Sequence, residues 1–152
     1  MSPEERLKDL GYSIPEVPAP LAAYVPGVVS GNYLYTSGQL PTVDGELEKV
    51  GRLGAEVTLE EGYEAARRSC LNCLGVIKSQ LGDLSRVRRI VKVTGYVAST
   101  AEFTDHPAVV NGTSELLGEV FGDAGAHARA AVGVSALPKG APVEVEMIVE
   151  FE

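Results

Sequence analysis

Cysteine is scarce in this chain: 152 residues contain only Cys70 and Cys73. A disulfide framework is excluded, and a structural zinc would need a second ligand pair that the cysteines cannot supply. Histidine is equally scarce. His106 and His127 are the only two, and two isolated histidines do not make a metal site. No apolar run approaches the roughly 18 residues that span a bilayer. No N-terminal stretch pairs a basic segment with an apolar one, so no signal peptide is expected, and the cytosol is the default location. Positive charge is in short supply as well. A net charge of −8 opposes nonspecific binding to nucleic acid, which needs a basic footprint. The one basic cluster, Arg86, Arg88, Arg89 and Lys92, is short. Residues 86, 88 and 92 share one face of a strand and read as its solvated side. No P-loop, G-x-G-x-x-G or Ser-His-Asp order stands in the strand–turn–helix context that its chemistry requires.

What is present is ordinary for a globular domain: 45% hydrophobic and 22% charged residues, in a length that suits one domain with one core. Ser2-Pro3-Glu4-Glu5 starts a short helix with a capping box, and Gly11 ends it. Residues 12–23, with Pro15, Pro18 and Pro20, read as an extended connector. Val28-Val29 and Tyr33–Thr36 form a hairpin around Ser30-Gly31-Asn32. Asp44-Gly45 marks a turn, followed by a weak strand or loop through Leu53. A second capping box, Thr58-Leu59-Glu60-Glu61, opens the clearest helix, about residues 58–81. Val87–Ala98 is a nearly continuous β-branched strand, and Thr104-Asp105-His106-Pro107 starts a third helix that Gly122 and Gly125 end.

The C-terminal stretch carries two more strands, expected to be joined by a Pro/Gly turn at Leu137-Pro138-Lys139-Gly140 into a hairpin. Along Val143–Phe151 apolar residues alternate with Glu144, Glu146 and Glu150, the period of a strand with one buried face. The whole order suggests two similar halves and one mixed sheet with the two longer helices on one face, an α+β architecture. The other sheet face is left bare, and an apolar bare face would mark an oligomer interface.

Few side chains offer chemistry. Cys70-Leu71-Asn72-Cys73 matches C-x-x-C, but a redox pair sits at a helix N-terminus and this one lies mid-helix. Buried small apolar residues are the better reading. His106 reads as a surface or capping residue. His127 stands two residues before Arg129, and its role is open. Arg129 heads an otherwise apolar strand. Its guanidinium can present a bidentate fork to a carboxylate, or pair with Glu144 or Glu146 as an ordinary strand-end salt bridge.

Taken together, Tyr24, Gly31-Asn32, Thr36-Ser37-Gly38-Gln39-Leu40-Pro41, Ala128-Arg129, Val132-x-Val134, Leu137-Pro138 and Val143-Glu144-Val145-Glu146 resemble the Rid family of reactive intermediate deaminases, also called YjgF-type. The likeness runs from about residue 20 to the C-terminus. The N-terminal helix and Phe103–Pro107 are similar to a less-studied, endoribonuclease L-PSP-like subgroup. The resemblance implies a chorismate-mutase-like α+β fold and a homotrimer with clefts between subunits. It implies cofactor-free hydrolysis of 2-imino acids or their enamine tautomers to 2-oxo acids and ammonia. Carried over by motif, Arg129 would bind the substrate carboxylate and Glu144 would position or activate water. Tyr24, Ser37 and Gly38 would line the cleft, Gly38 through its backbone. Asn111 stands where the family often has a pocket-side asparagine, although the segment from it to Arg129 is one residue longer here. Deaminase members usually carry a cysteine two residues after the arginine, where this chain has Ala131. That departure keeps open a second reading, a non-catalytic metabolite-binding or regulatory trimer that uses the same cleft. A ribonuclease fits poorly with the −8 charge.

Overall fold

The computed structural model describes residues 1–17 and 23–152. The part of the expected connector that holds Pro18 and Pro20 lies outside the described residues. The elements are helix α1 (Pro3–Asp9), strands β1 (Gly27–Ser30), β2 (Tyr33–Thr36), β3 (Thr42–Val43) and β4 (Glu46–Leu47), helix α2 (Leu59–Leu81), strand β5 (Val87–Ala98), helix α3 (His106–Phe121), and strands β6 (Ala128–Val134) and β7 (Val143–Phe151).

Both capping boxes form. Ser2 Oγ accepts from Glu5 N while Ser2 N donates to Glu5, and Thr58 and Glu61 do the same for α2. Each satisfies two backbone N–H groups that a helix start leaves without partners. α3 begins differently: Asp105 makes no side-chain cap, and Pro107 sets the first turn.

Five strands form a mixed sheet in the order β1-β2-β7-β5-β6. β5 and β6 are parallel, because α3 carries the chain back across the sheet between them. β7 pairs antiparallel with both β5 and β2. The expected C-terminal hairpin is therefore corrected: β6 and β7 are not partners, and β5 lies between them. The physical reason is β5 itself. Its nearly unbroken β-branched sequence suits a central strand with neighbours on both edges, and a β-α-β unit fixes the next strand parallel beside it.

α2 and α3 cover one sheet face, closing a core of Leu34, Leu74, Ile77, Ile90, Val93, Leu116, Leu117, Val145 and Met147, each 2% exposed or less. Cys70 and Cys73 are buried and unpaired in it. Burial pushes the Cys73 thiol up to about 12 and raises Cys70 too, so both behave as small apolar groups. The opposite face carries Val28, Tyr33, Tyr35, Val132, Glu144, Glu146 and Ile148, none of them buried. The basic cluster is less simple than a single solvated face. Arg86 sits in a 3-10 turn before β5 and donates to the carbonyls of Glu152 and Leu81. Two register shifts near the start of β5 leave Arg88 and Arg89 both exposed. No helix among the described residues is long and apolar enough to cross a membrane.

Candidate active site

Two groups of the expected residues assemble, and they lie on opposite faces of the sheet. The first is built by a bulge in β2. Tyr35 pairs with Ile148, and Gln39 pairs with Val145. Four steps on one side match three on the other, so one extra residue is inserted and the chain bows outward at Ser37-Gly38. The Thr36 hydroxyl takes the place of a ladder carbonyl, accepting from Met147 N at 3.0 Å. Ser37 is tied down by Oγ donating to Val25 O at 2.6 Å. The bow lays Gly38 directly on the Glu144 carboxylate, so closely that a Cβ would overlap Oε2. No acceptor among the described residues meets the Gly38 N–H.

Glu144 projects from the uncovered face because Val143 and Val145 point into the core. It is half-buried, and burial first, then the nearby Glu146 charge, hold its carboxyl above the usual carboxylate range. Glu146 accepts a 2.6 Å hydrogen bond from the Tyr96 hydroxyl. Tyr24, 59% exposed, lies in the loop leading to Val25, whose carbonyl holds Ser37.

The second group surrounds Arg129. β6 places Arg129 opposite Val93, a core residue, so its side chain lies on the helix side. There Arg129 Nη1 donates to Asn111 Oδ1 at 2.8 Å and to Ser114 Oγ at 3.1 Å. Asn111 and Ser114 are three residues apart on α3 and share its surface. The strand-end salt bridge with Glu144 or Glu146 does not form, and among the described residues nothing pairs with Nε or Nη2. That pair of nitrogens is the fork that grips a carboxylate with two parallel hydrogen bonds.

Glu144 is paired with Tyr96, three positions along β5 from the partner of Arg129. Two strand spacings and three residue rises separate the two by about 14 Å, on opposite faces. Sequence reasoning reached Arg129, Asn111 and Glu144 and missed Ser114, although its spacing from Asn111 on a predicted helix was the available signal. His106 meets Ser99 Oγ at 3.0 Å near the α3 N-terminus. Among the described residues no cluster of His, Cys, Asp or Glu has the makings of a metal site.

The family model described as YjgF/chorismate mutase-like, which also carries an endoribonuclease label, matches residues 4–151. The chain belongs to this family. Protein TCP17 of Trypanosoma cruzi is 46% identical over 146 residues, covering 95% of this chain and 91% of the relative. The 2-iminobutanoate/2-iminopropanoate deaminase of Escherichia coli K12 is 34% identical over 134 residues, covering 86% and 89%. Among solved structures, the Agrobacterium tumefaciens protein Atu1372, described as of unknown function, superposes with a TM-score of 0.93 at 44% identity, covering 99% of this chain and 92% of that one. The YjgF-type α+β fold implied by the motifs is the fold found.

Proposed function

We propose that this YjgF-family protein hydrolyses reactive 2-imino acids, or their enamine tautomers, to 2-oxo acids and ammonia in a cleft shared between subunits of a homotrimer. The observation that carries this reading is the open Nε–Nη2 fork of Arg129, held from behind by Asn111 and Ser114. The relatives named 2-iminobutanoate/2-iminopropanoate deaminase support the same substrate class. Arg129 and Glu144 of one chain are too far apart to touch a single three- or four-carbon acid. Pairing Arg129 of one subunit with Glu144 of a neighbour resolves this. The uncovered face supplies apolar surface for such a contact, with Val28 52%, Tyr35 45% and Val132 43% exposed.

The chemistry follows from the groups present. The Arg129 fork binds the substrate carboxylate and places the imine carbon over Glu144. Glu144 takes a proton from water as the water oxygen bonds to that carbon and the C=N electrons move to nitrogen. That proton then passes from Glu144 to the amine nitrogen, the C–N electrons leave with ammonia, and the hydroxyl proton returns to Glu144 as the C=O forms. A base whose carboxyl is held above the usual carboxylate range suits this two-way proton traffic. Gly38 lies against Glu144, and its N–H, without an acceptor among the described residues, is a donor available to the substrate. An iminium is already electrophilic, so placement and one base supply what catalysis needs.

Ala131, in place of the family cysteine, favours a second reading: a trimer that binds a small carboxylate without turnover. The test is ammonia release from freshly generated 2-iminobutanoate, with wild type and Arg129→Ala. Wild-type acceleration that Arg129→Ala abolishes supports the deaminase. A wild-type rate equal to buffer overturns it, and carboxylates that then raise the melting temperature only when Arg129 is present support the binding trimer. Sedimentation of the wild-type protein tests the trimer.

A further inference from the structure

Arg129 is held by a relay that begins on the far side of Ser114. His127 Nδ1 lies 2.6 Å from the carbonyl of Gly125, and its Nε2 lies 2.9 Å from Ser114 Oγ. A carbonyl only accepts, so Nδ1 carries a proton, and in that tautomer Nε2 is an acceptor. Ser114 Oγ therefore donates its own proton to Nε2. Its lone pairs then face Arg129 Nη1, which donates to it at 3.1 Å. Each hydrogen bond polarises the next, so a hydroxyl that is already donating becomes a better acceptor for the guanidinium.

The start of the relay is rigid. Gly125 closes the 3-10 turn Gly122–Gly125, and its Cα packs against the α3 backbone at Leu117 so closely that no Cβ fits. Its carbonyl is therefore a fixed point. Ser114 Oγ meets His127 and Arg129 and, among the described residues, no carbonyl of its own helix, where a mid-helix serine often finds its acceptor. Both Nη1 protons are consumed, one by Asn111 and one by Ser114. With Nη1 anchored, the plane of the guanidinium is set, and the Nε–Nη2 edge is the one left for a ligand.

We infer that His127 and Ser114 are positioning residues for carboxylate binding, acting through Arg129. This rests on the proposed role of Arg129, and it adds that the fork is pre-set rather than ordered by the substrate. Pre-setting a long side chain removes part of the entropy loss on binding.

Steady-state hydrolysis of 2-iminobutanoate by the full chain tests this in Ser114→Ala and His127→Leu, with Ser114→Thr and His127→Gln as variants that keep a hydroxyl and an Nε2-like acceptor. The expected result is a rise in KM of about tenfold in the two disruptive variants, the scale of one hydrogen bond to a charge, with kcat little changed. The two conservative variants should recover most of it. In the Arg129→Ala background, dissociation constants for 2-oxobutanoate should not respond to Ser114→Ala, because the relay has nothing left to hold. An unchanged KM in Ser114→Ala, in a preparation where Arg129→Ala abolishes turnover, overturns the inference and leaves the deaminase reading intact. If wild type shows no turnover, the deaminase reading fails by itself, and the 2-oxobutanoate dissociation constants of wild type, Ser114→Ala and His127→Leu decide the inference. Equal constants, or no binding by wild type, overturn it. Should His127→Leu fail to fold, the Ser114 pair decides.

Discussion

The Cα of Gly38 rests on the carboxylate of Glu144, in a space that a single methyl group would fill. The contact arises from the extra residue between the Tyr35–Ile148 and Gln39–Val145 pairings, which bows β2 over β7. A bulge of this kind turns a regular ladder into a place where a side chain from one strand meets bare backbone of the other. Here the side chain is the proposed base.

Gly38→Ala tests how closely that base must be placed. The inserted Cβ would overlap Oε2 and crowd the Cδ of Glu144 at 2.8 Å. These atoms are the far end of a flexible side chain, so Glu144 can rotate away and the fold survives. The melting temperature should move by only a few degrees, while kcat should fall by about a hundredfold, the usual result of misplacing a reacting group by about 1 Å. Unchanged turnover would remove Glu144 from the chemistry.

The pH profile carries a second prediction. Glu144 works as a base only when ionised, and burial and the Glu146 charge hold its carboxyl above the usual carboxylate range. The acid limb of kcat/KM should therefore lie above the ordinary carboxylate range, with activity lost as pH falls through the raised value. Glu146→Gln removes the like charge. The ionised form of Glu144 becomes easier to reach, so the limb should shift to lower pH, while burial still holds it above the ordinary carboxylate position. The amide still accepts from the Tyr96 hydroxyl, which limits other changes. A limb that stays in place or moves upward contradicts this assignment.

Local signals explain which parts of this fold were legible in the sequence. The two capping boxes, the apolar stripe of α2 and the β-branched run of β5 depend on neighbours along the chain, and all three form as the residue types predict. The pairing of β6 depends on where α3 delivers the chain, which no turn signal reports. The Pro138–Gly140 turn looked like a hairpin loop, yet β7 crosses to the far side of β5. The site divides in the same way. Arg129 and Glu144 were legible from motifs, but their separation onto opposite faces follows from the register of β6 and β7 on β5, where their partners Val93 and Tyr96 are an odd number of residues apart. Ser114 shares the α3 surface with Asn111, but spacing alone gives a helix serine no role. Only its meeting with His127 and Arg129 gives it a role.

Gly112 offers a stability prediction at the crossing of α2 and α3. A Cβ there would overlap the Tyr63 carbonyl and come within 3.1 Å of the Arg67 backbone nitrogen. Both obstacles are main chain and cannot swing aside, so the helices would have to part. Parting them would also strain the Thr113 Oγ1 bond to the Ala66 carbonyl at 2.6 Å and the Arg67–Glu119 ion pair at the rim. Gly112→Ala is expected to cost about 3 kcal/mol, the upper part of the range for overpacking. In a chain of this length that lowers the melting temperature by roughly 6–12 °C. Gly118, on the same helix, is the control: it is exposed and a Cβ meets nothing within 4 Å. Gly118→Ala should stabilise by about 0.5–1 kcal/mol, because alanine loses less backbone entropy in a helix. Thermal or urea unfolding of the two variants checks the pair. Opposite signs place the close approach at Gly112, whereas a Gly112→Ala protein as stable as wild type would mean that the helices can separate at that point without loss.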